Sequence, residues 1–255
     1  MSRSGVPNPG RVPLRAVFLD IGETVMRPNP SWEHVYAMAF EEFGIHVDIP
    51  DLERALRSAY RHGGWGMEGG FKPDEETSFR RTVELDQAAI AELGIGPMPD
   101  AFFRRLNELF MVTSHWHIFP EAYPTLVGLQ DRGLIVGAVS NWVWNLPELL
   151  HALELVQHFD FIAASSRIGW EKPHRRIFEW ALKRAGVPAS SVIHVGDHLD
   201  ADVAGAQGVG ITPVLIDRYA RHRPEDLPPD LALITALDQV LPIVDARLAR
   251  ARAAS

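Results

Sequence analysis

Arg15-Ala-Val-Phe-Leu-Asp20-Ile-Gly-Glu-Thr24 sets the frame for the whole chain. A short apolar run closed by a carboxylate and then a glycine suits a strand buried on both faces, with a polar group at its C-terminal edge. From Pro120 onward the sequence alternates helix and strand. Helices are expected at Glu121–Asp131, near Leu146–Leu155, at Arg175–Ala185 and near Ala201–Gln207, and strands at Leu134–Val139, Phe161–Ala164, Val192–Val195 and Val214–Ile216. Such alternation implies right-handed βαβ units, a parallel sheet and a ligand site at the C-terminal ends of the strands. A final helix is expected from Asp238 to about Ala253, its basic end at Arg247, Arg250 and Arg252 reading as a solvated terminus.

Between Pro28 and about Val112 the texture is amphipathic helix with no strand pattern. Ser31 is placed to cap a helix through Phe43, which Gly44 stops. Further helices are expected at about Asp51–Arg61, Asp74–Leu93 and Pro99–Met111. A glycine-rich, aromatic loop, Gly63-Gly-Trp-Gly-Met-Glu-Gly-Gly70, joins the second to the third. The expected organisation is therefore a loose tail over 1–14, a sheet-based core over 15–27 and 113–255, and a helical insert over 28–112.

Bulk properties bound the function. The 255 residues are 46% hydrophobic and 23% charged, an ordinary globular mix. The net charge of −8 disfavours a nucleic-acid partner, whose phosphates would be repelled. With no cysteine, thiolate metal sites and cysteine nucleophiles are excluded. No apolar run approaches the ~20 residues that span a bilayer, and the opening segment has no apolar core of a signal peptide. The expectation is a cytoplasmic enzyme; its oligomeric state is not legible.

Four polar clusters follow strands of the expected sheet: Asp20-Ile-Gly-Glu-Thr24, Ser140-Asn141, Lys172-Pro173 and Gly196-Asp-His-Leu-Asp-Ala-Asp202. Each alone reads as a cap or a turn. Together, on one sheet edge, they supply a carboxylate nucleophile, further carboxylates for a hard cation, a hydroxyl donor and one fixed cation. That set suits phosphoryl transfer, which depends on positioning and charge neutralisation.

In this order the clusters resemble the four motifs of the haloacid dehalogenase-like hydrolases. Phe-Pro at 119–120, Val-Ser-Asn at 139–141, Phe-Asp-Phe at 159–161, Glu-Lys-Pro at 171–173, Ile-Phe at 177–178 and His-Val-Gly-Asp at 194–197 all fit. The resemblance implies a Rossmann-like α/β core and, in the insert, a C1-type cap. It implies a phosphatase that uses Mg2+ on a small phosphorylated substrate. Asp20 would be the nucleophile and a ligand of the cation, Gly22 would give its backbone carbonyl to the metal, and Asp197 would be the second carboxylate ligand. Asp202 would lie behind these ligands and orient the cation's water. Ser140, with the backbone around Asn141, would bind phosphoryl oxygens, and Lys172 would neutralise both Asp20 and the phosphate. Pro173 would begin the next helix.

One position departs from the pattern. The family's phosphatases carry a general acid/base Asp two residues after the nucleophile, and this chain has Gly22. Losing a positioned acid/base costs about 10²–10⁴ in rate. Glu23, His198, His34 and Arg80 are the substitutes within reach by sequence. Three readings stay open: a slow or restricted phosphatase, another hydrolysis such as carbon–halogen or carbon–phosphorus cleavage, and a catalytically weakened phosphate- or partner-binding module. Carbon–phosphorus cleavage would need a cap lysine, and Lys72 is the only one in the insert. Specificity is expected from Trp65, Met67 and Phe71 with one of Arg80 and Arg81, since adjacent helix residues cannot both face the site.

Overall fold

The structure is a computed structural model that describes residues 13–62 and 69–253. Residues 1–12 of the tail expected over 1–14, and Trp65 and Met67 of the glycine-rich loop, lie outside the described residues; Leu14, expected in that tail, is instead buried in the core.

Strand β1 (Ala16–Leu19) is wholly buried and sits at the centre of a six-stranded parallel sheet. Its partners are β4 (Ile135–Ser140) on one side and β6 (Val192–Gly196) on the other. β5 (Phe161–Ala164) lies beyond β4, while β7 (Thr212–Ile216) and β8 (Ala232–Ile234) lie beyond β6. Helices α5 (Ala122–Asp131), α6 (Leu146–Ala152), α8 (Arg175–Ala185) and α10 (Val240–Ala253) link or flank the strands, as do the short turns α7 (Ser165–Ile168) and α9 (Gly205–Gln207). The alternation of β1 separates its side chains between two layers. Val17 and Leu19 join the core that contains Leu126, Leu149 and Val244, whereas Ala16 and Phe18 join Phe161, Ile177 and Phe178. This is the Rossmann-like α/β architecture expected.

Helices α1 (Trp32–Glu42), α2 (Ile49–His62), α3 (Glu75–Glu92) and α4 (Asp100–Phe110) follow β1 in the chain. They enclose their own apolar cluster, from Val35 and Phe40 through Phe79 and Ile90 to Phe103 and Leu109. Asp74 caps α3 by accepting from the Thr77 N–H.

Three features differ from the sequence expectation. A two-stranded antiparallel sheet of β2 (Met26–Pro28) and β3 (Trp116–Ile118) ties together the two crossings between core and helical insert. Both strands are three residues long, too short for a period-2 pattern to register. β8 is equally short. Pro173 does not open α8; the helix begins at Arg175, behind His174, whose ring accepts from the Arg176 N–H.

Candidate active site

Because β1 is central, the residues after β1, β4 and β6 emerge side by side. Asp20 follows β1, Ser140 ends β4, and Asp197 follows β6. Ligand oxygens of Asp20, Asp197 and Asp202 all lie within 4.8 Å of one another. Asp20 is held by its own N–H, which donates to the Val195 carbonyl at 2.9 Å, and its carboxylate receives a hydrogen bond from Ser140.

Lys172 is buried between two carboxylates. Its Nζ donates to Asp20 Oδ1 at 2.7 Å and to Asp202 Oδ1 at 2.6 Å. Asn141 fixes the lysine's backbone, accepting from the Lys172 N–H at 2.7 Å and donating to the Lys172 carbonyl at 2.9 Å. The Asn141 side chain is thus a clamp on Lys172, a role the sequence does not reveal. Asp202 is likewise engaged on both oxygens. Oδ1 also accepts from His194 Nε2 at 2.8 Å, and Oδ2 accepts from the His198 N–H at 3.1 Å. Asp202, expected behind the ligands of the cation, bonds Lys172 while one of its oxygens lies within 4.8 Å of ligand oxygens of Asp20 and Asp197. Gly196 makes this possible, because a Cβ there would lie 2.2 Å from Asp202 Cγ.

The electrostatics follow from burial. Burial pushes the Asp20 carboxyl up, against the opposing pull of Lys172. Burial, with the charges of Asp20 and Asp202, pushes Asp197 up to about 8. Burial alone would raise Asp202 too, but Lys172 and His194 hold it well below the usual carboxylate range. Burial would lower the Lys172 ammonium, yet Asp20 and Asp202 more than compensate and raise it. Three carboxylates thus face one buried ammonium, with Arg221 reaching Asp197 from a half-exposed position at 3.2 Å. The cluster has the oxygen donors and the excess negative charge that a hard divalent cation suits.

The loop after Asp20 is wound on one carbonyl. The N–H groups of Thr24, Val25 and Met26 all point to the Ile21 carbonyl. Arg218 staples this loop, donating to the carbonyls of Glu23 and Thr24 while its guanidinium lies 3.6 Å from the Phe119 ring centroid. Gly22 is not in the left-handed region, and a Cβ there would meet only Trp142 at 3.5 Å and Trp32 at 3.8 Å.

The substitute acids are placed as follows. Glu23 accepts from Trp32 Nε1 at 3.1 Å and from the Tyr219 hydroxyl at 2.9 Å, in the cleft that Asp197 also lines. His198 uses its ring Nδ1 to cap the turn at Leu199–Ala204. His34 Nδ1 lies 2.9 Å from the Ser31 hydroxyl. Arg80 is tied to Glu76 and Asp100 at the surface. Lys72 is largely exposed and paired with Asp74, unlike a desolvated amine. Of the adjacent arginines, it is Arg81 that turns to the core, 3.1 Å from Glu171. His194 is a site residue that sequence reasoning overlooks. Its signal is a polar side chain inside an otherwise apolar, fully buried strand.

Comparison with known proteins gives the family. The family model described as haloacid dehalogenase-like hydrolase matches residues 14–210. The chain belongs to the haloacid dehalogenase-like hydrolases, and it is a hydrolase. It is 29% identical, over 90% of its length and 96% of the relative's, to haloacid dehalogenase-like hydrolase domain-containing protein 3 of Danio rerio. It is 35% identical, over 85% and 88% of the respective chains, to a glyceraldehyde 3-phosphate phosphatase of Methanopyrus kandleri. Its fold matches the L-2-haloacid dehalogenase of Xanthobacter autotrophicus with a TM-score of 0.70, at 18% identity over 91% of this chain and 98% of that one.

Proposed function

We propose that this protein is a magnesium-dependent phosphatase of small phosphomonoesters that works through an aspartyl-phosphate on Asp20. The observation that carries the reading is the convergence of Asp20, Lys172, Ser140, Asp197 and Asp202 on one sheet edge. A phosphate-binding module has no need of a buried carboxylate where the phosphate must sit; a nucleophile belongs there. The similarity to a phosphatase of glyceraldehyde 3-phosphate supports the same chemistry.

In this reading one Asp20 oxygen attacks phosphorus, the bond to the leaving oxygen breaks, and an acyl-phosphate forms. Lys172 neutralises the nucleophile before attack and the phosphoryl group after it. Ser140 donates a hydrogen bond to a phosphoryl oxygen. Asp20 and Asp197, with the Gly22 carbonyl, would hold Mg2+, and Asp202 would keep Lys172 in place. Bound there, the cation would neutralise the clustered carboxylates and the charge of the phosphoryl group. Water attack on phosphorus then returns Asp20 and releases phosphate.

The test is a screen of phosphorylated metabolites and p-nitrophenyl phosphate with magnesium, using Asp20→Asn as the blank. Phosphate release that needs Asp20 and stops on chelation supports the reading. Release that survives in Asp20→Asn defeats it.

A further inference from the structure

A shallow cleft, open to solvent, lies between α3 and the loops after β4 and β5. Phe71, Ser78, Arg81, Trp142, Ser166 and Glu171 are among its walls. It adjoins the Asp20 site through the chain itself: Glu171 precedes Lys172, and Trp142 follows Asn141. The Trp142 ring is also what a Cβ on Gly22 would meet, at 3.5 Å.

Arg81 is fixed within this cleft. Its guanidinium lies 4.2 Å from the Phe71 ring centroid, and one nitrogen donates to Glu171 at 3.1 Å. Phe71 is itself anchored, its N–H donating to the Gly169 carbonyl at 3.0 Å. The guanidinium has five N–H donors in a rigid fork, and the others have no partner among the described residues. The Ser166 hydroxyl, within the same wall, is buried and has no hydrogen-bond partner among the described residues.

We propose that this cleft is the leaving-group subsite and that Arg81 selects small phosphomonoesters whose leaving group carries a carboxylate. The proposal rests on the phosphatase reading above. A planar fork with free donors matches a carboxylate in two parallel hydrogen bonds. Glu171 cancels the net charge of the cleft, so recognition comes from directed hydrogen bonds and not from the field.

Matched pairs test this. 3-Phosphoglycerate against glycerol 3-phosphate, and O-phosphoserine against phosphoethanolamine, differ by the carboxylate. In the wild-type protein the acid of each pair should have kcat/KM higher by about 10–100-fold, the range for hydrogen bonds to a charged group. Arg81→Met, checked for folding by circular dichroism, should bring the ratio close to one by lowering the acids alone. Arg81→Lys should restore part of it. If Arg81 only latches α3 to the core, Arg81→Met will lower both members equally; that result, or equal rates in the wild type, overturns the proposal. Two controls separate the readings. p-Nitrophenyl phosphate has no carboxylate, so its failure to turn over counts against the phosphatase assignment alone. Titration of the wild-type protein and Arg81→Met with glycerate and glycerol, followed by saturation-transfer NMR, needs no turnover. Arg81-dependent binding of glycerate supports the subsite, and its absence defeats it.

Discussion

Lys172 Nζ stands 2.7 Å from Asp20 Oδ1, deep in the protein and with 3% of the lysine side chain exposed. A buried ammonium requires compensation, and Asp202 at 2.6 Å completes it. The lysine therefore cannot swing away from the nucleophile without leaving two carboxylates uncompensated. We expect Lys172→Ala to lower kcat by at least about 10²–10³, the range for losing one preorganised electrostatic contact. It should also destabilise the fold by about 3–5 kcal/mol, the cost of breaking a buried pair. Lys172→Arg should not restore turnover, since a planar fork cannot replace a point charge in this space. Phosphate release and urea denaturation check both effects.

Gly196 offers a subtler test of the same contact. A methyl group there would collide with the Asp202 carboxylate, so Gly196→Ala should displace Asp202 and with it Lys172. The expected outcome is a folded protein, destabilised by about 1–3 kcal/mol as overpacked cores are, whose kcat falls much further than its stability explains. Wild-type kcat in Gly196→Ala would show that Asp202 does not position the lysine.

Gly22 gives the missing acid a kinetic signature. With p-nitrophenyl phosphate the leaving group needs little protonation, so Asp20 should be phosphorylated readily. Hydrolysis of the acyl-phosphate still lacks a positioned base, so a burst of p-nitrophenol near one equivalent should precede a slow steady state. The backbone at Gly22 accepts a side chain, and its Cβ would make only ordinary contacts with Trp142 and Trp32. Gly22→Asp should raise the steady rate, by up to about 10². No burst, with brisk turnover of alkyl phosphates, would assign the acid/base to another group, and Glu23 would be the next residue to mutate.

The helical insert carries a pH-dependent weakness of its own. Asp86 is buried among its helices, accepting from the hydroxyls of Tyr36 at 2.7 Å and Tyr60 at 2.9 Å. Burial pushes its carboxyl up to about 7, partly offset by the two tyrosines. A carboxyl raised above its unfolded value near 3.9 favours folding most when protonated, so its stabilising contribution is lost as pH rises from about 4 to 7. Asp86→Asn should therefore raise Tm at pH 8 by several degrees and leave it nearly unchanged at pH 4.5. Equal effects at both values would mean that Asp86 does not titrate in the folded protein.

How much of this was legible beforehand depends on the range of each interaction. The apolar run at Ala16–Leu19 and the alternation after Pro120 announced a parallel sheet, because strand burial and helix periodicity are written in local sequence. Asp20, Ser140, Lys172 and Asp197 could be named for the same reason: each lies at or just beyond a strand end, or in a motif of fixed wording. The β2–β3 pair escaped notice, since three residues on each strand carry no period and their pairing joins segments some ninety positions apart in sequence. Sequence also could not say what Asn141, Asp202 and His194 touch. Asn141 and Asp202 meet the backbone and ammonium of Lys172, and His194 meets Asp202, only when β1, β4 and β6 lie side by side. The choice between Arg80 and Arg81 is of the same kind. Helical geometry dictated that one would turn inward, but which one depended on how α3 docks against the loop carrying Glu171. Local sequence determined the elements and the residue types at their ends; side-chain partners were decided by packing, because hydrogen bonds act over about 3 Å and the chain brings those atoms together only once it is folded.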